Sequence, residues 1–473
     1  MSMRQCSRWS ALTIIFTGGY ACGSLGGMVT LEAQDRDPIQ LTLGQALEYA
    51  AGSNPALRRA TNVTLVNGAE MRSTWAERIL PRAQLTLFNT AFTGNLQRQA
   101  LDNFGNPIAD PSAEWNYFSQ TVHNLGLSWS FQGASLFQSH ERQKLTNEDR
   151  DLGLLRTRTD VEIQVQRLFI DALEQKALMQ AEEELVAARR IDLDVAERLF
   201  SLALRTRVDI LNAELAVEQQ ALTLQQQEAT YQRALLALRT AMGLAEDRPL
   251  EVGDEPLPLF DPSEFNASDL ISRALEINPS MMQSGVQLRS AELALREQKS
   301  GWWPEVRFGV DVFRRSYQPE TEALFDTSIG SDLESQFYVG FSIPVLGGVF
   351  QQNTRQQQAA IDLRNQREQD REARLQLDEV IRGSLLELEN QWASAQLSER
   401  SREIAQEALA LAREEYRLGT RSFEELRAAF QQEADTRRQV ITARHAFVDA
   451  LLSLEEAVGA SVRDSRVTLG LGN

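Results

Sequence analysis

Cysteine is almost missing from this chain: 2 in 473 residues, Cys6 and Cys22, both inside the first 33. A chain that loses that leader has no disulfide framework and no thiol nucleophile. Histidine numbers only 3 (His123, His140 and His445), too scattered for metal-ligand spacing, so no metal site and no cofactor is expected. No glycine-rich loop follows a strand, which removes the nucleotide-binding motifs. Positive charge is in deficit, 48 Lys and Arg against 66 Asp and Glu for a net charge of −18. With no basic stripe to neutralise phosphates, a nucleic-acid partner is not expected. The acidic side chains lie among helix-favouring residues in the manner of solvated coiled-coil flanks, so no catalytic constellation emerges and the chain is not read as an enzyme. Beyond the leader no run reaches the ~18–20 uninterrupted apolar residues of a membrane helix. If the protein crosses a membrane, it does so with strands.

Residues 1–33 read as a secretory signal: Arg4 and Arg8 give the positive flank, Ala11 to Phe16 open an apolar segment, and Leu31-Glu32-Ala33 resembles a small-residue cleavage site. Removing them takes away two Arg and one Glu and moves the net charge from −18 to −19. Acylation at Cys22 is the competing reading, although Gly19 stands where a lipobox has an aliphatic residue.

What the chain has in abundance is long heptad-patterned helix, over roughly 141–203 and 349–418. In the second run Leu377, Ile381, Leu385, Leu388, Trp392 and Ala395 recur at spacings of 3 and 4, and Ile404, Ala408, Leu411 and Leu418 are read as continuing that seam. In the first, Val161, Val165, Leu168 and Ala172 open a seam that Val195, Leu199 and Leu202 close. Such spacing puts an apolar stripe on each helix. At about 1.5 Å per residue these runs reach roughly 90–105 Å, far more than a single-core domain requires.

The chain is also written twice. Ala46-Leu47-Glu48, Asn54-Pro55 and Leu80-Pro81 recur as Ala274-Leu275-Glu276, Asn278-Pro279 and Trp303-Pro304, offset by 224 residues at Asn-Pro and 223 at the later proline. Asn caps a helix and Pro fits its first turn, so Asn-Pro marks a helix start; the later Pro ends that helix. After the leader, the first repeat spans 34–265, with a strand pair about 82–131 and a helical hairpin 141–243. The second spans 266–473, with a strand pair about 304–345 and a hairpin 349–459. The shorter helices, about 55–78 with 208–242 and 279–301 with 423–458, match the long ones in length if each pair stacks end to end.

The strand candidates alternate strictly: Leu125, Leu127, Trp129 and Phe131; Val306, Phe308, Val310 and Val312; Phe337, Val339, Phe341, Ile343 and Val345; and a weaker partner from Ala83 through Leu87. The stretches 95–120 and 314–333, rich in Asn, Asp, Ser, Gly and Pro, read as loops. An ordinary half-buried hairpin has the same alternation. In a membrane, however, four strands cannot close a barrel, which takes about eight or more, and open edges cannot face lipid. Two copies would bring eight strands and three would bring twelve, and alternation alone does not choose between them.

With its duplication, Asn-Pro starts, four strands and hairpins, the chain resembles the TolC-like outer-membrane efflux protein family over essentially its whole length after the leader. The sharpest match is Tyr416-Arg417-Leu418-Gly419-Thr420-Arg421-Ser422-Phe423-Glu424-Glu425, followed by Ala429. Its first-half counterpart, Ala203 to Ala213, keeps Thr206, Asp209 and Ala213 but has Ala203 where Gly is usual. The resemblance implies a mainly α protein with a membrane β-barrel portion. Each protomer would give four strands, and a homotrimer would close a twelve-stranded barrel in outer-membrane lipid, continued across the periplasm by a helical barrel. It implies an exit duct for a tripartite efflux or type I secretion system, working with a periplasmic adaptor (a membrane fusion protein) and an inner-membrane pump. A soluble periplasmic coiled-coil adaptor or scaffold is the alternative.

By the same resemblance, Tyr416, Asp209 and Arg421 match residues that tie neighbouring helices at the closed periplasmic end, and Glu425 matches a lumen-facing carboxylate. Ala428 departs from members with a second lumenal acid. Leu204, Arg205, Thr206, Gly419, Thr420 and Ser422 match the adaptor-docking tips. Trp302 and Trp303 fit either a membrane interface or packing where helix meets strand.

Overall fold

The computed structural model describes residues 39–98, 104–107, 109, 113–132, 135–244, 249–319, 333–343, 345 and 347–462. The signal segment 1–33, both cysteines and most of the C-terminal tail therefore lie outside the described residues. In chain order the elements are β1 (Ile39–Leu41), α1 (Leu43–Ser53), α2 (Pro55–Thr64), α3 (Asn67–Ile79), β2 (Arg82–Arg98), β3 (Ala113–Gln132), α4 (Ser135–Ser201) and α5 (Arg207–Met242). They continue with β4 (Leu250–Val252), α6 (Ala267–Ile277), α7 (Pro279–Ser300), β5 (Glu305–Pro319), β6 (Glu334–Ser342), α8 (Gly347–Arg417) and α9 (Phe423–Val458). Among the described residues no helix is long and apolar enough to cross a membrane.

The two long helices run 67 and 71 residues, about 100 Å each at 1.5 Å per residue. Beside α4 lie α5, of 36 residues, and the α2–α3 pair of 10 and 13; α9, of 36, and α7, of 22, pack against both long helices. The result is a layer in which α4 and the α7/α9 pair are central, α5 flanks one side and α8 the other. The single helix expected over 55–78 is broken at Leu65 and Val66, where Leu65 N–H turns back to Asn62 O. Thr61, Val63 and Thr64 are β-branched, poor helix formers, and the two threonine hydroxyls bond backward to Leu57 O and Thr61 O.

The duplicated Asn-Pro motif does more than start a helix. Asn54 accepts from Ala56 N–H at 2.8 Å and Leu57 N–H at 3.2 Å to cap α2, and donates its amide to Ala241 O at 2.6 Å, in the last turn of α5. Asn278 likewise accepts from Ser280 N–H at 2.8 Å and donates to Ala457 O at 2.9 Å, in the last turn of α9. Both asparagines are buried. Each helix so received ends on a left-handed glycine, Gly243 (φ 73°) and Gly459 (φ 85°). A Cβ on Gly243 would lie 2.4 Å from Ser53 O, and one on Gly459 would lie 2.9 Å from Asn278 Cα. The short helices therefore stack end to end through matching joints. The main core surrounds these joints, with Val165, Phe169, Ile381, Leu388, Phe447, Leu451 and Leu454 at 0% exposure. Each such Leu or Phe contributes about 2 kcal/mol by leaving water.

Burial corrects one part of the heptad reading. Leu377, Ile381, Leu385, Leu388 and Ala395 are buried, but Ile404, Leu411 and Leu418 are 57%, 60% and 68% exposed. The seam continues instead through Ala405, Leu409, Ala412 and Tyr416. From Ala395 to Ile404 is nine residues, or about two and a half turns, so Ile404 lies on the opposite side of α8. In the first hairpin Leu199 closes the seam, while Leu202 is 67% exposed.

The four long strands form one antiparallel sheet in the order β2-β3-β5-β6, so the repeats join through β3 and β5. β2 and β6 are its open edges. Residues 95–98 and 113–120, expected to be loop, are strand, because the ladder runs on past the apolar alternation (Gly94 opposite Tyr117, Leu96 opposite Trp115). The later loop likewise shrinks, since β5 extends to Pro319. Register places Leu85, Leu125 and Val312 in one row, and Ala83, Leu127, Val310 and Phe337 in the next. That face is uncovered within the chain: Leu85 is 66% exposed, Phe337 69% and Phe341 75%. A half-buried hairpin of a soluble domain would have packed it. At the helix–strand junction Trp303 is exposed, and Trp302 donates to Gln356 Oε1 at 3.2 Å.

Candidate functional site at the helical tips

The end of the bundle far from the sheet consists of two turns, α4 to α5 and α8 to α9. Each passes through one left-handed residue, Ala203 (φ 57°) in the first and Gly419 (φ 81°) in the second. Each restarts as a helix on a reciprocal cap. Asp209 accepts from the N–H and hydroxyl of Thr206 at 2.9 and 3.0 Å. Glu425 accepts from the N–H and hydroxyl of Ser422, both at 2.9 Å. The S/T-x-x-D/E spacing satisfies N-terminal amides that the helix itself cannot. These bonds hold the Glu425 carboxyl below its ordinary pKa, with a smaller contribution from Arg421.

Tyr416 sits at 1% exposure between the two tips. Its ring meets Phe423 edge-on at 6.0 Å, and the Arg205 guanidinium covers it at 4.3 Å. Arg205 also donates to Tyr416 O at 3.1 Å and Arg421 O at 2.6 Å, so this one side chain ties the first tip to both ends of the second turn. The Tyr416 hydroxyl is buried without a hydrogen bond. Burial raises its pKa, Arg205 opposes the rise, and the nearby Asp209 adds to it. Arg421 pairs with Glu415 of its own hairpin at 3.0 Å.

The sequence-derived set thus falls into three groups within one chain. Tyr416, Asp209 and Arg205 are brought together. Arg421 and Glu425 lie at the second turn, each with a partner on its own hairpin. Leu204, Thr206, Gly419, Thr420 and Ser422 are exposed at the extremity, where Leu202 and Leu418 add uncovered apolar surface.

Residues 270–460 match the family described as outer membrane efflux protein. The second repeat is thus similar to the outer membrane efflux protein family. The fold of both repeats is similar to that of solved outer-membrane channels. The Campylobacter jejuni CmeC outer membrane channel shares 13% identity over 91% of this chain and 88% of its own, with a TM-score of 0.68. The open state of the Neisseria gonorrhoeae MtrE outer membrane channel shares 15% over 89% of each chain, with a TM-score of 0.66. The Vibrio cholerae outer membrane protein VceC shares 14% over 89% of this chain and 96% of its own, with a TM-score of 0.65. No curated protein sequence matches the chain.

Above the tips, the helices bury a cluster that sequence spacing did not single out. Asp192 of α4 pairs with Arg413 of α8 at 3.2 Å, and Arg189 stacks on Phe430 of α9 at 3.4 Å. One turn-pair higher, Glu182 accepts from Gln220 and receives both arms of Arg438, at 2.6 and 3.0 Å. These partners are more than 200 residues apart or on different helices, so no local pattern marks them. The available signal was a charged residue at a position the heptad assigns to the seam. Among the described residues no group of His, Cys, Asp or Glu is arranged to hold a metal.

Proposed function

We propose that three copies of this chain form an outer-membrane exit duct for a tripartite efflux or type I secretion system. The observation that carries this reading is that the chain is unfinished on both sides. The sheet ends in open edges at β2 and β6. The outer helices carry exposed apolar stripes spaced by sevens: Val208, Leu215, Leu222 and, two steps on, Leu236 on α5, and Leu397, Ile404 and Leu411 on α8 with Leu418 just past its end. Different surfaces at the two sides make a head-to-tail contact, which closes into a ring when the rotation allows. Three copies supply twelve strands, enough for a barrel whose uncovered apolar face meets outer-membrane lipid.

The tips form the periplasmic end. Leu202, Leu204 and Leu418, with Thr206, Gly419, Thr420 and Ser422, offer a mixed apolar and polar docking surface for the helical hairpins of an adaptor, which links the duct to an inner-membrane pump. Tyr416, Asp209, Arg205 and Arg421 hold the tips closed, and Glu425 contributes one carboxylate per subunit to a ring that favours cations at the constriction. The duct conducts passively.

Light scattering of the detergent-extracted particle, corrected for bound detergent, should return three times the mature chain mass. In planar bilayers, Tyr416→Ala with Arg421→Gln should raise single-channel conductance in an intact particle. A detergent-free soluble monomer would overturn the duct, and unchanged conductance would remove both residues from the closure.

A further inference from the structure

A groove of about 670 Å³ opens between α5 and α9, with α4 as its floor. Three arginines line it, Arg189, Arg427 and Arg438, with Glu424 the one acidic side chain at its wall. Their charges are not equally available. Arg438 is held by Glu182, and Arg427 lies 2.8 Å from Glu424. Asp192, the carboxylate that acts on Arg189 through space, makes its ion pair with Arg413. Arg189 is left over. It is only 7% exposed, its Nε has no hydrogen-bond partner, and its contact is the face of Phe430. No carboxylate contacts it directly, and Asp192 offsets its charge only through space; a buried guanidinium so placed is costly. Burial lowers its pKa only to about 10, so it remains a cation at neutral pH.

We propose that this groove is a binding site for an organic monoanion from solution, whose carboxylate is received by Arg189. A monoanion fits better than a phosphate dianion, which would bring a second charge close to Glu424 and Glu182. The guanidinium presents a planar fork of donors that matches a carboxylate. Around it Gln219, Gln431 and Thr223 supply polar groups, while Ala216 and Ala428 leave room for an apolar body. The volume is in the range of small-molecule sites, about 300–1,000 Å³. Ala428 is part of that room: an acidic side chain there would bring a negative charge into the groove. The site does not depend on the duct reading, because all its residues come from one chain.

Benzoate titrated into the detergent-extracted, assembled protein, with benzamide as its neutral counterpart, tests the proposal. Benzoate should bind saturably, benzamide at least tenfold more weakly, and Arg189→Gln should weaken benzoate at least tenfold. Thr223→Trp, which fills the groove from the opposite wall and leaves Arg189 intact, should abolish binding even if Arg189→Gln folds poorly. No saturable benzoate binding to the wild-type protein, or equal binding to Thr223→Trp, would overturn the site. So would an Arg189→Gln variant that loses subunit association while the wild type ignores benzoate, since Arg189 would then serve a neighbouring chain's carboxylate.

Discussion

Replacing Asn278 by alanine should loosen two helices that are 179 residues apart along the chain. The side chain has two separable jobs. Its oxygen caps α7 through Ser280 N–H at 2.8 Å, and its amide satisfies Ala457 O at 2.9 Å. Losing an N-cap costs about 1 kcal/mol. Leaving a buried carbonyl without its donor costs about 1–3 kcal/mol. Equilibrium unfolding is a poor assay for a chain of this size and assembly, because two-state behaviour is not assured. Native-state hydrogen exchange reads each helix end separately. With tenfold for every 1.4 kcal/mol, amides in the first turn of α7 should exchange about fivefold faster, and those in the last turn of α9 about fivefold to a hundredfold faster.

Asn278→Asp divides the two jobs. Aspartate caps as well as asparagine, so the start of α7 should stay protected. It has no amide to donate and sets a carboxylate against Ala457 O, so the end of α9 should loosen at least as much as with alanine. The reasoning fails if alanine leaves both ends unchanged, or if aspartate loosens both equally. Asn54 should give the same pattern at the starts and ends of α2 and α5.

Two further predictions concern other parts of the helical bundle. Ala203 is held left-handed, at a cost of about 1–2 kcal/mol that glycine avoids, while glycine gives back about 0.4–1 kcal/mol through the unfolded chain. Ala203→Gly should therefore slow tip exchange about two- to fivefold, and faster exchange would refute the strain. Glu174, on α4, has its pKa raised above the ordinary 4.5, mainly by burial, with Asp171 and Asp449 adding to it against a hydrogen bond from Thr442. The fold then holds that proton more tightly than the unfolded chain, so ionised Glu174 costs stability above its raised pKa and nothing below about 4.5. Glu174→Gln should slow hydrogen exchange of the surrounding α4 amides relative to wild type at pH 7 and lose that gain as the pH falls through the raised pKa to about 4.5; a gain independent of pH would refute the assignment.

The sequence made the repeats, the hairpins and the four strands legible because each rests on a local signal: a 3/4 spacing, a period of two, or an Asn-Pro beside a later Pro. α9 begins at Phe423 and ends at Val458, as the pattern predicts. Contacts between distant segments were not legible. Nothing near Asn278 announces that Ala457 waits for its amide, and nothing near Arg205 announces Tyr416 O and Arg421 O. Arg205 reads as one more exposed tip residue, yet it is the tie between the tips. The strands were underestimated for a related reason: backbone pairing carries β2 and β3 through residues whose side chains give no alternation to read.

The misassigned stripe on α8 carries the most information. Leu397, Ile404, Leu411 and Leu418 step by seven, yet all are exposed, while Leu377, Leu388, Ala405, Leu409, Ala412 and Tyr416 keep the buried seam. An α-helix drifts by about 20° for every seven residues, so a strict seven-residue stripe stays aligned only along a supercoiling partner. One helix with two such stripes therefore has partners on two sides. Within the chain α8 packs mainly on α7 and α9, and the stripe from Leu397 to Leu418 is left uncovered. In the proposed assembly the second partner is another copy of the chain, and the stripe on α5, also spaced by sevens from Val208, is the surface it would present there. Charging one stripe, for example Ile404→Asp with Leu411→Asp, should then release monomers whose own hairpins remain helical.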